Sequence, residues 1–385
     1  MRLELPEGWE LRPLVEVATL QRGFDLPIQD RRPGPVPVYG SNGIDGLHDQ
    51  AMVSGPGVVT GRSGTIGRVY FEPAEFWPLN TTLYVRDFHG NEPKFVARLL
   101  ESLDLLRFAA STGVPSLNRN FVHPEIVRLP PVNEQGEIAG ALELVDGAIE
   151  RADALITKLE QVRVGLQLDL LTPSSGMDED WTVIRIGDVC EHITKGATPT
   201  TFGFDWVDDG VLFLRSECVT EDGTSLVGSQ RISPQAHAVM ARSAVRGGDL
   251  LMTITGYIGR TCRYPVDWPE ANINQHIARI RIRDRDALAP EFALWALKHP
   301  AVLRALELEV TGLAYPQIGL TQVQNIRIHV PRLERQMEIA AALDSQQAEL
   351  EACEAQLAKL WAIKRGLSED LLSGRVRTAP ELELA

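Results

Sequence analysis

The chain has 385 residues, 44% of them hydrophobic, and a formal net charge of −14. This length exceeds one hydrophobic core and predicts two or three domains. There is no apolar run of about 18 residues and no apolar signal segment, and the four cysteines are scattered, so we expect no membrane span, disulfide framework or zinc site, and a reducing cytoplasm as the location.

The first predicted domain, residues 1–132, has 13 basic and 15 acidic side chains. Runs of β-branched and aromatic residues separated by Gly and Pro predict strands at 36–40, 57–61, 68–71 and 82–87. A helix is predicted over 93–110, because Pro93 suits a first helical turn.

A long helix is predicted next, over 133–171, with a net charge of −5. Its apolar residues recur at alternating steps of three and four, which is the a/d pattern of a coiled coil. They are Leu142, Val145, Ile149, Ala152, Ile156, Leu159, Leu166 and Leu170. At 1.5 Å per residue this helix is about 57 Å long.

An acidic linker, 172–180, leads to a second predicted domain at 181–332, which has 16 basic and 16 acidic side chains. Strands are predicted at 211–215, 250–254 and 278–283, and a helix over 290–308 that opens with Pro290. A second long helix over 333–372, net charge −4, precedes a neutral tail, 373–385. Its seam consists of Leu343, Leu350, Cys353, Leu357, Leu360, Leu367 and Leu371.

The two halves are copies of one another. A shift of 201 residues aligns Pro130 with Pro331 and Gln135 with Gln336. The motif Gly-x-Ile-Gly-Arg also occurs twice, at 64–68 and 256–260, with a shift of 192. The long helices therefore repeat at constant spacing, whereas the globular parts differ by loop insertions.

Both helical seams are interrupted at the same place by a cation, Arg163 in the first and Lys364 in the second, and Gln346 is a further polar seam residue. Such residues either fix the register of the pair or extend their charged ends to solvent. Because the linker is short, the second helix must run back along the first to bury its seam. We therefore predict an antiparallel pair with one globular domain at each end, and an α+β fold with an internal pseudo-two-fold repeat.

Catalytic motifs are not recognisable. The segment 61–67 is glycine-rich but lacks the Gly-Lys-Ser/Thr ending of a phosphate loop, and a strand rather than a helix is predicted after it. Glu92-Pro93-Lys94 has a nuclease-like spacing but is more typical of a helix N-terminus. The sequence also has no zinc-protease, serine-hydrolase or adenine-methyltransferase motif, and so indicates a binding protein.

The chain resembles the specificity subunit of type I restriction–modification enzymes. The resemblance rests on the segments 130–135 and 331–336 that lead into the two long helices, the segment Lys195–Pro199, the Gly-x-Ile-Gly-Arg turns and the closing segment 371–376. Arg332 and Arg335 depart from the Pro and Glu that the family prefers. Membership implies a non-catalytic subunit with two target-recognition domains, each reading half of a split double-stranded DNA site. The helices would act as spacer and dock two modification (methyltransferase) subunits, which supply S-adenosylmethionine, while restriction (motor/nuclease) subunits use ATP and Mg²⁺.

We predict that DNA is contacted by polar loop residues of both domains, since Arg, Asn and Gln can bond to purine edges and Ser, Thr and Lys to phosphates. In the first domain these are Arg22, Asn42, Arg62, Ser63, Thr65, Arg68, Asn118 and Arg119; in the second they are Lys195, Thr198, Arg215, Tyr257, Arg260, Tyr315 and Gln317. The acidic helices are expected to face partner proteins rather than phosphates. Three alternatives are an assembly scaffold that does not bind DNA, a nuclease or methyltransferase without recognisable motifs, and the recognition subunit of a related bifunctional restriction–methylation enzyme.

Overall fold

In the computed structural model, the described residues are 5–110, 115–173, 180–310 and 316–378. The chain divides into two compact units. The first unit comprises residues 1–154 and 354–385, and the second comprises residues 155–353. Each unit thus combines one globular domain with part of each long helix. Across the described ranges, no helix has the length and apolarity needed to cross a membrane.

The first unit contains a four-stranded antiparallel sheet and a smaller three-stranded sheet. Its strands are β1 (Glu10–Pro13), β2 (Thr19–Arg22), β3 (Val36–Gly40), β4 (Gly43–His48), β5 (Gly57–Gly61), β6 (Val69–Glu72), β7 (Trp77–Pro78), β8 (Thr82–Asp87), β9 (Ala109–Ala110), β10 (Ser116–Leu117) and β11 (Ile126–Leu129). Its helices are α1 (Leu14–Val17), α2 (Pro93–Ser102), α3 (Arg119–Val122) and the beginning of α4 (Val132–Leu170). The sheets have the orders β2-β8-β5-β6 and β4-β3-β7. In addition β1 pairs with β11, which brings the start of the domain beside the strand that leads into α4.

The second unit repeats this plan. Its strands are β12 (Thr182–Arg185), β13 (Thr194–Lys195), β14 (Trp206–Leu214), β15 (Gln230–Ile232), β16 (Ala244–Val245), β17 (Leu250–Thr253), β18 (Thr261–Arg263), β19 (Ala271–Ile273), β20 (Ile277–Ile280) and β21 (Arg327–Val330). Its helices are α5 (Ile186–Val189), α6 (Pro234–Val239), α7 (Pro290–Leu297), α8 (Pro300–Leu308), α9 (Leu320–Asn325) and the beginning of α10 (Leu333–Ser373). The sheet order β13-β20-β17-β18 corresponds to β2-β8-β5-β6, and β12 pairs with β21 as β1 does with β11. The predicted internal repeat and α+β fold are confirmed.

Strand prediction succeeded where apolar runs are bounded by turn residues. The predicted segments 36–40, 57–61 and 82–87 coincide with β3, β5 and β8. The predicted strand 250–254 ends one residue after β17 does, and the predicted strand 278–283 overlaps only part of β20. β5 and β17 are buried along their whole length, which explains why both read as uninterrupted apolar runs.

One predicted short helix is too long, and the other is two helices instead of one. The helix predicted over 93–110 ends at Ser102, because Leu103 is extended (φ −81°, ψ 132°), and a 3₁₀ turn follows at Leu105–Phe108. The helix predicted over 290–308 is two helices, α7 and α8, separated at His299. Pro300 begins α8, and a residue before proline is driven out of the helical region.

The two long helices are antiparallel. In the first unit, Asp146 of α4 lies 2.6 Å from Lys364 of α10, and in the second unit Arg163 of α4 donates to Gln347 of α10 at 2.8 Å. Advancing along α4 therefore means going back along α10. The seam residues Leu142, Ile149, Leu343 and Leu350 are buried, as the a/d pattern requires. Both seam cations bond to the facing helix rather than to solvent alone.

A buried glutamine fixes the start of each long helix. Gln135 and Gln336 are each 1% exposed. The Gln135 side-chain oxygen accepts from the Glu92 amide (2.9 Å), and its nitrogen donates to the Pro130 carbonyl (3.0 Å). Gln336 makes the same bonds with Ala289 (2.8 Å) and Pro331 (2.9 Å). The repeated glutamine is thus a structural clamp between α4 or α10 and its own globular domain.

Arg335, which stands where the resembled family prefers Glu, makes the start of α10 pack differently from the start of α4. In the first unit, Glu134 is 4% exposed and accepts from Trp9 Nε1 (3.0 Å) and Arg377 (2.7 Å). Its counterpart, Arg335, is exposed and pairs with Glu338. A buried carboxylate with two donors therefore exists in the first copy, where the segment after α10 packs back onto the first domain.

Candidate nucleic-acid interface

A groove of about 660 Å³ opens in the first unit where β2, β8, the turn after β5 and the start of α3 meet. Four arginines line it: Arg22, Arg62, Arg86 and Arg119. We call it the arginine groove. Asn118 lines it too, so the structure brings together four of the residues predicted to contact DNA.

The positive charge of the arginine groove is largely uncompensated. The Arg62 guanidinium donates to the carbonyl of Asn80 (3.1 Å), and Arg119 donates to the carbonyl of Leu20 (3.3 Å). These neutral acceptors orient the side chains without cancelling their charge. The carboxylate that lines the groove, Asp25, lies 3.7 Å from Arg22. A domain with a small negative net charge thus concentrates cations in one concave surface, which is a typical footprint of nucleic-acid binding.

A close backbone contact explains the glycine after Arg22. A Cβ on Gly23 would lie 2.3 Å from the Leu79 carbonyl oxygen. In the second unit, a Cβ on Gly196 would lie 1.6 Å from the carbonyl oxygen of Ile273. Only glycine permits this approach, so Lys195 is held at the position in its domain that Arg22 occupies in the first.

The other predicted residues of the first unit lie beside or outside the groove, and Asn118 also caps a helix. Ser63 forms a β-bridge with Ser116 beside the groove, and Thr65 is half-buried in the same turn. Asn42 is exposed in the turn between β3 and β4. The side-chain oxygen of Asn118 accepts from the Asn120 amide (3.0 Å) and so caps α3. Arg68 lies outside the groove, beside α10.

The second unit has a related but less cationic surface. Thr255 bridges Gln317 as Ser63 bridges Ser116, so the frame is the same. By the shifts of 192 and 201, however, Arg62 corresponds to Ile254 and Arg119 to Leu320. Two of the four groove arginines are thus replaced by apolar residues.

The remaining predicted residues of the second unit are dispersed. Lys195 is exposed, and the Thr198 hydroxyl donates to Gln275 (2.9 Å). Arg215 follows β14 and pairs with Glu217 (3.2 Å).

Tyr257 is 74% exposed and lies under the Arg260 guanidinium, whose carbon is 4.4 Å from the ring centroid. Both are in a cleft beside α4. Tyr315 lies outside the described residues.

Sequence reasoning missed Arg86 and Gln275. Arg86 lies near the end of β8, and its guanidinium donates to Gln21 (3.3 Å). Its signal in the sequence was the change from apolar to charged residues at the end of the strand run 82–87, where the strand becomes exposed. Gln275, the acceptor of the Thr198 hydroxyl, is marked by no sequence motif. In the described ranges there is no group of three or more His, Cys, Asp or Glu side chains placed to hold a metal ion.

The family model described as the type I restriction modification DNA specificity domain matches residues 6–161 and again residues 178–360. The chain belongs to this family. It is 24% identical over 301 residues to the EcoBI specificity subunit of Escherichia coli, covering 70% of this chain and 61% of that subunit. This chain therefore spans less than two thirds of the EcoBI subunit.

Two further comparisons cover more of both chains. The specificity subunit S.MpnORF507P of Mycoplasma pneumoniae, whose assignment is itself putative, is 24% identical over 341 residues, or 86% of each chain. The crystal structure of a type I restriction–modification S subunit from M. genitalium superimposes with a TM-score of 0.67 at 15% identity, covering 96% of this chain and 98% of that one. The architecture inferred from the doubled sequence is thus that of a solved specificity subunit.

Proposed function

We propose that this type I specificity chain reads a split DNA site, one half with each globular domain. Its support is the arginine groove, which gathers four of the 13 basic side chains of a domain that has 15 acidic ones. The guanidinium group of arginine can donate two hydrogen bonds at once to O6 and N7 of guanine, and four arginines in one groove offer several such contacts.

The two domains should read different half-sites. They share the frame set by Gly23 and Gly196, but Ile254 and Leu320 stand where the first domain has Arg62 and Arg119. Ile254 is buried in the core of the second unit, Leu320 packs against that core, and an apolar side chain cannot hydrogen-bond to guanine. We therefore expect more guanine contacts in the half-site read by the first domain.

We further propose that the chain acts within a complex. The helices would set the spacing of the half-sites and dock two modification subunits, and restriction subunits would join them. S-adenosylmethionine, ATP and Mg²⁺ would be bound by those partners, so adenine methylation and DNA cleavage would be activities of the complex. The four cysteines are free thiols, which suits the cytoplasm as the location.

The test is to sequence the methylated bases of a host that carries the complete system, and to measure binding of the reconstituted complex to the motif found. Arg62→Ala and Arg119→Ala should each weaken specific binding about 5- to 150-fold, from about 1–3 kcal/mol per base contact. Arg12→Ala is the matched control, since Arg12 is ion-paired with Glu10 and Glu16 on the surface of the same unit. A host without a split adenine motif would refute the proposal.

A further inference from the structure

The two Gly-x-Ile-Gly-Arg turns lie beside the long helices. In the first unit, Arg68 lines a cleft of about 580 Å³ together with Lys364 and Arg365 of α10. In the second unit, Arg260 lines a cleft of about 520 Å³ together with Arg163 of α4. We call these two surfaces the turn–helix clefts.

The turn–helix clefts are built from equivalent parts of the repeat. Arg68 and Arg260 are related by the shift of 192, and Arg163 and Lys364 by the shift of 201. Each turn packs beside the long helix of the other half of the chain, because the helices are antiparallel. The arrangement occurs twice although the loops of the two domains differ, which argues for a shared task that does not depend on the base sequence read.

The guanidinium groups in these clefts lack acidic partners. Within the described ranges, neither Arg68 nor Arg365 has a hydrogen bond or carboxylate partner, and Arg260 has the ring of Tyr257 alone. Arg163 donates to the neutral amide of Gln347, and its Nε atom is buried without a partner.

The acids that line the clefts leave an excess of positive charge. In the first cleft, Glu101 pairs with Arg98 at 2.9 Å. Glu221 and Glu307 line the second, facing Arg163, Arg260 and Lys298. Some arginines of the same domains, such as Arg185, are bound to carboxylates, whereas the cleft arginines keep their charge available to an anion.

We infer that the turn–helix clefts bind backbone phosphates of the DNA, and that Arg365 of α10 and Arg163 of α4 take part. The inference rests on the proposed function. Guanidinium groups match phosphate oxygens in geometry and charge, and phosphate contacts position a protein on DNA without carrying sequence information. The long helices, acidic as a whole, would then touch DNA at two local patches, contrary to the expectation drawn from their net charge.

The experiment uses the specificity chain assembled with its modification subunits. Binding to the cognate duplex and to an unrelated duplex is measured over a series of salt concentrations. Arg68→Gln, Arg260→Gln and Arg365→Gln are compared with Arg285→Gln, an exposed arginine outside the clefts. Each cleft substitution should make the plot of log K against log salt less steep by about 0.9. It should weaken binding to both duplexes by the same factor and leave the methylated motif unchanged.

Three results would overturn the inference. Unchanged salt slopes would show that the clefts do not meet phosphate. An altered methylated motif would show that these arginines read bases, and loss of subunit assembly with DNA slopes intact would make the clefts protein-docking surfaces. Failure of the unsubstituted complex to prefer any split site would refute the proposed function itself, and the cleft inference with it.

Discussion

Replacing the buried glutamine clamps tests how each globular domain is fixed to its helix. Gln135→Leu keeps a similar volume but leaves the half-buried Glu92 amide without its acceptor, which costs about 1–3 kcal/mol. Asn91 and Pro130 also lose the donor that lies 2.8 and 3.0 Å from their oxygens, at about 0.5–1.5 kcal/mol each. The expected loss is about 2–6 kcal/mol.

Gln336→Leu should cost a similar amount in the second unit, because Ala289, Ala287 and Pro331 lose equivalent bonds. The measurement is urea unfolding combined with hydrogen exchange of α2 and of α7, which separates the two units. Gln356→Leu and Gln161→Leu are the controls, since both side chains are exposed on the helices and should change stability by less than about 0.5 kcal/mol. A loss below about 1 kcal/mol at either clamp would refute the reasoning.

Three further outcomes are expected. In the native chain Cys353 alone should react quickly with a thiol reagent, because burial raises the pKa of the other three thiols; two fast thiols would contradict this. Burial and the neighbouring positive charge lower the pKa of His123, whose Nε2 accepts from the Leu20 amide. The contribution of His123 to stability is therefore complete above pH about 6.5 and falls below that pH. The substitution His123→Gln should remove this part of the pH dependence of the free energy of unfolding. Lys364→Met should change the free energy of unfolding by less than about 1 kcal/mol, because Asp146 keeps its ion pair with Arg98 (2.5 Å). A loss above about 2 kcal/mol would show that this seam cation fixes the helix register.

The individual site residues were predicted from different kinds of sequence feature. Arg22 and Lys195 are each followed by a glycine that a close backbone contact demands, so both lie at positions where the fold itself is constrained. Asn118 was predicted to contact DNA because it is a polar loop residue; it lines the arginine groove, and its side-chain oxygen also caps α3. A single sequence cannot distinguish these roles, because the acceptors and donors come from residues distant along the chain.

The sequence by itself determined the repeat, the long helices and their antiparallel arrangement, because heptad periodicity and a short linker leave few ways to bury two seams. It also placed the strands with apolar runs, where burial on both faces removes polar residues. Only the tertiary structure decided that Arg22, Arg62, Arg86 and Arg119 share one groove and that Arg68 and Arg260 face the helices. Those groupings depend on sheet order and on which loops meet, and contacts between distant segments leave no periodic trace in the sequence.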